Sequence, residues 1–182
     1  MSLIETPISD LVVIQPSIFQ DDRGYFFESY NQNLFHSYGI MNNFVQDNQS
    51  CSTKGTLRGL HFQTGEYEQA KLVRVTYGEV LDVAVDLRNN SKTFGEWFSI
   101  ELSGENQKQV FIPRGFAHGF LVLSEYAIFQ YKVDNFYNKE SEGGIIYNDS
   151  KLAINWQHDE RDILLSDKDK ILGSLDDFCS SS

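Results

Sequence analysis

Residues 79–88 read EVLDVAVDLR, and their alternation decides the fold class. In an extended chain Leu81, Val83, Val85 and Leu87 fall on one face and Asp82, Ala84 and Asp86 on the other, the period of two that marks a β-strand. Outward from this stretch the same pattern returns in WFSIEL (97–102), QVFIP (109–113), FLVL (120–123) and AIFQYKV (127–133). Turn-forming runs such as NNSKTFGE, SGENQ, PRG and LSE separate them. Many short strands at close spacing predict an all-β jelly-roll sandwich or closed barrel. Helical material is scarce. NQNLFHSYG (31–39) places Leu34, Phe35 and Tyr38 on one face ahead of Gly39, which suits the left-handed residue that ends a short helix. A second short helix is expected near Asp159, where DERDILL carries early acids ahead of apolar residues.

The bulk composition sets the outer bounds. A chain of 182 residues, 41% hydrophobic and 23% charged, fits one globular domain, here taken as 1–178, with 179–182 (CSSS) expected as a loose tail. The net charge of −11 argues against a nucleic-acid or anionic-membrane surface, since both require a basic face that displaces counterions. Neither a signal-like leader nor an apolar run long enough to span a membrane is visible, and a cytoplasmic location is expected. Cys51 and Cys179 are too few and too far apart for a disulfide framework or a thiolate metal site.

The chemistry concentrates in TLRGLHFQ (56–63), where His61 sits among apolar residues. A metal-binding cupin would need a second imidazole two residues on, so that both rings point into the barrel, and that position is Gln63. A metal is therefore disfavoured, although His118 of PRGFAHGF could reach a site from another strand. Arg58, Lys71 and Arg74 lie in or beside strands, where a charge needs a partner or a wet cavity. Strict alternation would put Arg58 and His61 on opposite faces. Both reach one cavity only if the strand bulges, and Gly59 is the residue that permits it.

Other polar stretches admit two readings each. In DDRGYFFESY (21–30), Phe26 is expected to pack inward, with Tyr25 and Phe27 facing away and Arg23 and Glu28 flanking the triplet. QDN (46–48) is either a turn or a binding segment. Tyr131 shares a face with Phe129 and Val133, as a satisfied core tyrosine or as a phenolic proton donor. Tyr137 suits base stacking or plain surface aromaticity.

In order and spacing, DDRGYFFESY, FVQDNQS, TLRGLHFQ, QAKLVRV, GEVLDVAVDLR, TFGEW, IPRGFAHGF, YKVDNFY and LSDKD resemble the dTDP-4-dehydrorhamnose 3,5-epimerase family across nearly the whole chain. The resemblance implies a cupin-type jelly-roll homodimer, without metal or cofactor, that acts on dTDP-4-dehydro-6-deoxy-D-glucose. Its product would feed L-rhamnose synthesis for bacterial surface polysaccharide. By the same resemblance His61 is the general base, Asp169 supports its imidazole, Tyr131 is the proton donor, and Tyr137 stacks on thymine. Lys71 is placed to stabilise the enolate. Arg58, His118, Glu142, Lys168 and the Gln46, Asp47, Asn48 run would contact substrate, and Arg23 and Glu28 would reach the partner subunit's site. Gln157 after Trp156, and KDKILGSL without a proline, depart from the family's habit outside those positions. A single-position epimerase or ketoisomerase of the same fold, a metal-dependent cupin and a non-catalytic carbohydrate-binding jelly roll are the competing readings.

Overall fold

A computed structural model describes residues 1–181. In chain order its strands are β1 (Ser2–Glu5), β2 (Val12–Gln15), β3 (Phe19–Asp21), β4 (Gly24–Phe26), β5 (Gln46–Thr53), β6 (Leu57–Gln63) and β7 (Lys71–Tyr77). They continue with β8 (Glu79–Asp86), β9 (Trp97–Ser103), β10 (Gln109–Ile112), β11 (Phe116–Val122), β12 (Tyr126–Val133) and β13 (Glu142–Gly144). Two antiparallel sheets result, ordered β1-β2-β10-β7-β12-β5 and β13-β6-β11-β8-β9. Val13, Val73, Val75, Val110 and Phe129 of the first sheet pack against Val80, Ala84, Leu102, Phe116 and Phe120 of the second. This is the jelly-roll sandwich that the alternation predicts.

The decisive strand β8 is buried on both faces beyond its first residue. Its apolar row, Leu81, Val83 and Val85, points away from the opposite sheet and is covered by Ile145, Leu152, Trp156 and Leu175 of the C-terminal segment. Each such Val or Leu contributes roughly 1.5–3 kcal/mol by leaving water. Its acid-bearing row faces the interior, where Asp82 and Asp86 are 1% and 0% exposed and both are paired. An alternating pattern here separates two buried layers and not core from solvent.

The bulge expected at Gly59 is present. His61 lies opposite His118 and Arg58 opposite Phe120, so Gly59 and Leu60 together face Gly119. Gly59 has φ 131°, and a Cβ there would stand 2.5 Å from Gly119 Cα. The helix α1 (Gln32–Ser37) also forms as expected, with Asn31 accepting from Leu34 N–H at 3.2 Å and Gly39 at φ 85° ending it.

Three expectations are corrected. Near Asp159 a single 3-10 turn, Glu160–Asp162, replaces the helix, because Leu164 leaves it extended to exchange backbone hydrogen bonds with Gly55 and Leu57. The tail from residue 179 is, through 181, the end of α2 (Leu175–Ser181); Ser182 lies outside the described residues. Ser174 and Asp177 cap α2 reciprocally, and Phe178 meets Phe62 edge-on with ring centroids 5.3 Å apart. Phe26 does not pack inward: β3 and β4 form a separate two-stranded hairpin with no covering layer, leaving Phe26 71% and Phe19 66% exposed.

Candidate active site

A cavity of about 680 Å³ opens between the two sheets. The bulge in β6 turns both Arg58 and His61 into it, β7 begins with Lys71 at its wall, β11 supplies His118, and β12 supplies Tyr131. The residues after Leu164 close one side with Lys168 and Asp169.

His61 Nε2 meets Asp169 Oδ1 at 2.6 Å, and Nδ1 has no partner among the described hydrogen bonds. Asp169 is 3% exposed, and its backbone N–H donates to Ser166 Oγ at 3.1 Å. Burial pulls the His61 pKa below its ordinary value; the Asp169 carboxylate pushes it up, and the Lys71 and Lys168 ammonium groups push it down. The net result is an imidazole held neutral, which is the protonation state a general base needs. Lys71 Nζ donates to the His61 carbonyl at 3.3 Å. Burial lowers Lys71 to about 8, against the opposing pull of Asp82 and Glu142. Burial raises the Tyr131 phenol, opposed by the positive charge of Arg58, so the phenol keeps its proton at neutral pH.

Beside His61 lies a second pair, His118 Nε2 and Asp82 Oδ2 at 2.8 Å, both buried. At the mouth, Glu142 accepts from Tyr137 Oη at 2.9 Å and forms an ion pair with Lys168. Burial would raise the Glu142 carboxyl, but the hydrogen bonds from Lys168 and Tyr137 outweigh it and hold it low. Arg58, in the cavity wall, donates from Nε to Ser52 Oγ at 3.0 Å.

Not every candidate converges. Within QDN, Asn48 lines the cavity and accepts from Gln46 Nε2 at 2.9 Å, while Asp47 turns to the other face of the sheet and pairs with Lys132 at 2.8 Å. That division follows from the alternation of β5. Arg23 and Glu28 lie on and after the exposed hairpin, away from this cavity. The Arg23 side chain is 89% exposed and pairs with Asp21, and Glu28 accepts from Asn31 at 3.0 Å.

Asp82, behind His118, and Gln63, in the cavity wall, were not assigned a place in the site from the sequence. The alternation of β8 marks Asp82 as sharing a face with Ala84 and Asp86 but leaves the direction of that face open. Gln63 stands out in the sequence only as a missing imidazole; its side chain bonds the loop that carries Tyr137 at Phe136 and Asn138, and the turn before β7 at Tyr67. Among the described residues no group of three or more His, Cys, Asp or Glu side chains is arranged to hold a metal. Nor is any helix among them long and apolar enough to cross a membrane.

The family model described as dTDP-4-dehydrorhamnose 3,5-epimerase matches residues 5–177. The dTDP-4-dehydrorhamnose 3,5-epimerase of Escherichia coli K12 is 53% identical over 179 residues, covering 98% of this chain and 96% of the relative. The crystal structure of the enzyme of that name from Elizabethkingia anophelis superimposes with a TM-score of 0.94 at 54% identity, covering 97% of each chain. A dTDP-6-deoxy-D-glucose-3,5-epimerase from Legionella pneumophila, solved in complex with dTDP-4-keto-L-rhamnose, gives 0.93 at 49% identity over 96% of this chain and 93% of the other.

Proposed function

The chain belongs to the dTDP-4-dehydrorhamnose 3,5-epimerase family, and from that premise we propose how it inverts two carbons of one sugar ring. The substrate is dTDP-4-dehydro-6-deoxy-D-glucose and the product dTDP-4-dehydro-L-rhamnose, made in the cytoplasm on the route to dTDP-L-rhamnose. The observation that carries this reading is the 2.6 Å contact of His61 with Asp169 in the same cavity as Tyr131 and Lys71.

A ketone at C4 acidifies the hydrogens on C3 and C5 alike, so one base on one face of the ring serves both. His61 Nδ1 takes the proton, and the Asp169 carboxylate stabilises the imidazolium that forms. Negative charge moves to the C4 oxygen, where the Lys71 ammonium offsets it. At C5 the new C–H bond forms on the opposite face with the proton of Tyr131 and at C3 with a proton from solvent, and the imidazolium and phenolate left behind exchange their protons with water. Arg58 at the mouth holds the diphosphate, and the Tyr137 ring stacks on the base.

The hairpin supports a dimeric site. It carries Arg23 away from its own cavity and exposes Phe19, Tyr25 and Phe26, apolar surface that a second copy would cover. In this reading Arg23 and Glu28 complete the partner's site. Mixing the inactive variants Arg23→Ala and His61→Ala would then restore activity through the one native site of the mixed dimer. No recovery after subunit exchange would refute the crossover.

The reaction itself is tested by turnover in deuterium oxide. The proposal expects label at both C3 and C5; label at only one would make the protein a single-position epimerase.

A further inference from the structure

Gln63 stands where a metal-binding relative of this fold would carry an imidazole, and its amide is occupied elsewhere. Nε2 donates to Tyr67 O at 2.8 Å and to Phe136 O at 3.2 Å, and Oε1 accepts from Asn138 N–H at 2.7 Å. The side chain thereby grips the backbone on both sides of Tyr137. The residue is 8% exposed, and both donor hydrogens and the carbonyl oxygen have partners.

The ring it brackets has little else to hold it. Tyr137 is 54% exposed, and its hydroxyl contacts Glu142 alone among the described hydrogen bonds. A ring so exposed takes its direction from its backbone, and that backbone has no regular structure of its own. Neighbouring contacts stitch the rest of the loop to residues 64–69: Gln69 Nε2 donates to Asn135 O at 2.8 Å, and Thr64 N–H to Ser141 O at 2.9 Å. Asn135 Oδ1 also accepts from Phe136 N–H at 2.9 Å, but among the described hydrogen bonds only Gln63 reaches from outside the loop to both positions flanking the tyrosine. It is also two residues from His61 on β6, a strand pinned by its neighbours on both sides. The separation between the base and the aromatic platform is thus set by one short strand and one amide.

We infer that Gln63 is a positioning residue for nucleoside recognition, holding Tyr137 at a fixed reach from His61 so that base stacking and proton abstraction engage one substrate together. This rests on the reading of Tyr137 as the stacking ring. A methionine at 63 keeps length and volume but loses all three hydrogen bonds, whereas a glutamate keeps the acceptor and sets a carboxylate against two carbonyl oxygens.

The test is calorimetric titration with dTDP alongside steady-state kinetics. Gln63→Met is expected to raise the dTDP Kd and the KM for the sugar nucleotide about tenfold, leaving kcat within about twofold. In a Tyr137→Ala background the same substitution should change the Kd by less than about twofold, because the group it positions is gone. Gln63→Glu, which preserves shape, repeats the measurement should Gln63→Met unfold below the assay temperature. Unchanged dTDP affinity, an undiminished effect in the Tyr137→Ala background, or a loss confined to kcat would each overturn the inference. If Tyr137→Ala weakens dTDP while Gln63→Met does not, only the positioning role fails. If Tyr137→Ala itself leaves dTDP affinity intact, the stacking role fails and the inference falls with it.

Discussion

Two histidine–aspartate pairs stand side by side on adjacent strands, with His61 directly opposite His118 in the β6–β11 register. Chemically they are the same pair at nearly the same separation, 2.6 and 2.8 Å. Their surroundings differ. His118 and Asp82 come from neighbouring strands β11 and β8, and both side chains are almost wholly buried. The His61 side chain keeps 30% of its surface, and its carboxylate arrives from a segment 108 residues later. An imidazole that must take a proton from a ligand needs the open setting; one that holds a buried carboxylate in place needs the closed one. The difference teaches that access and not partner identity separates the two pairs.

The largest expected effect breaks the comparison if it fails. His61→Asn should lower kcat about 10³-fold, the range of a lost general base, whereas His118→Asn should cost about tenfold, mostly in KM. Equal losses in steady-state assays would erase the distinction. Next, Asp169→Asn should lower kcat about 10²-fold and move the acid limb of the kcat/KM profile to lower pH, because the carboxylate pushes the His61 pKa up. In the unmodified protein that limb lies below the ordinary imidazole value of 6.5, since burial favours the neutral ring.

The second pair acts on the other limb. Lys71 titrates at about 8, so its ammonium is present below that pH and lost above it, and kcat/KM should decline on the alkaline side centred there. Asp82 raises the Lys71 pKa, so Asp82→Asn should shift that decline to lower pH while leaving the acid limb in place. A shift of both limbs would mean the two pairs are coupled. On stability the order reverses: urea unfolding should find His118→Leu about 3 kcal/mol less stable, because Asp82 stays buried without its partner, and His61→Asn changed by about 1 kcal/mol or less. Smallest of all, Tyr137→Phe should raise KM by under about threefold, since the stacking ring survives; a loss near that of His61→Asn would reveal a role for the hydroxyl.

The sheet was legible in the sequence because period two is local: EVLDVAVDLR, WFSIEL and AIFQYKV each declare a strand without reference to anything distant. The bulge was legible as well, from the misfit between Arg58 and His61 and the glycine between them. What escaped depends on remote contacts. DERDILL has helical composition, but backbone pairing of Leu164 with Gly55 and Leu57, at the start of β6, holds it extended. Ser174 and Asp177 carry a capping signature that a serine-rich ending masked. The inward direction of Asp82 could not be read from alternation alone, because only the C-terminal cover makes the apolar face an interior one. Asp47 shows the opposite lesson, since β5 alternation already separates it from Gln46 and Asn48.

The covering segment also sets an order in time. Chains emerge from the ribosome N-terminus first, so every strand through β13 is made before the residues that shield Leu81, Val83 and Val85 and before Asp169. A nascent jelly roll therefore holds its histidine but not the carboxylate, and shows the cell an uncovered greasy sheet. The last few dozen residues both cover that surface and bring Asp169 to His61, so under the proposed mechanism competence as a catalyst and safety from aggregation would mature together.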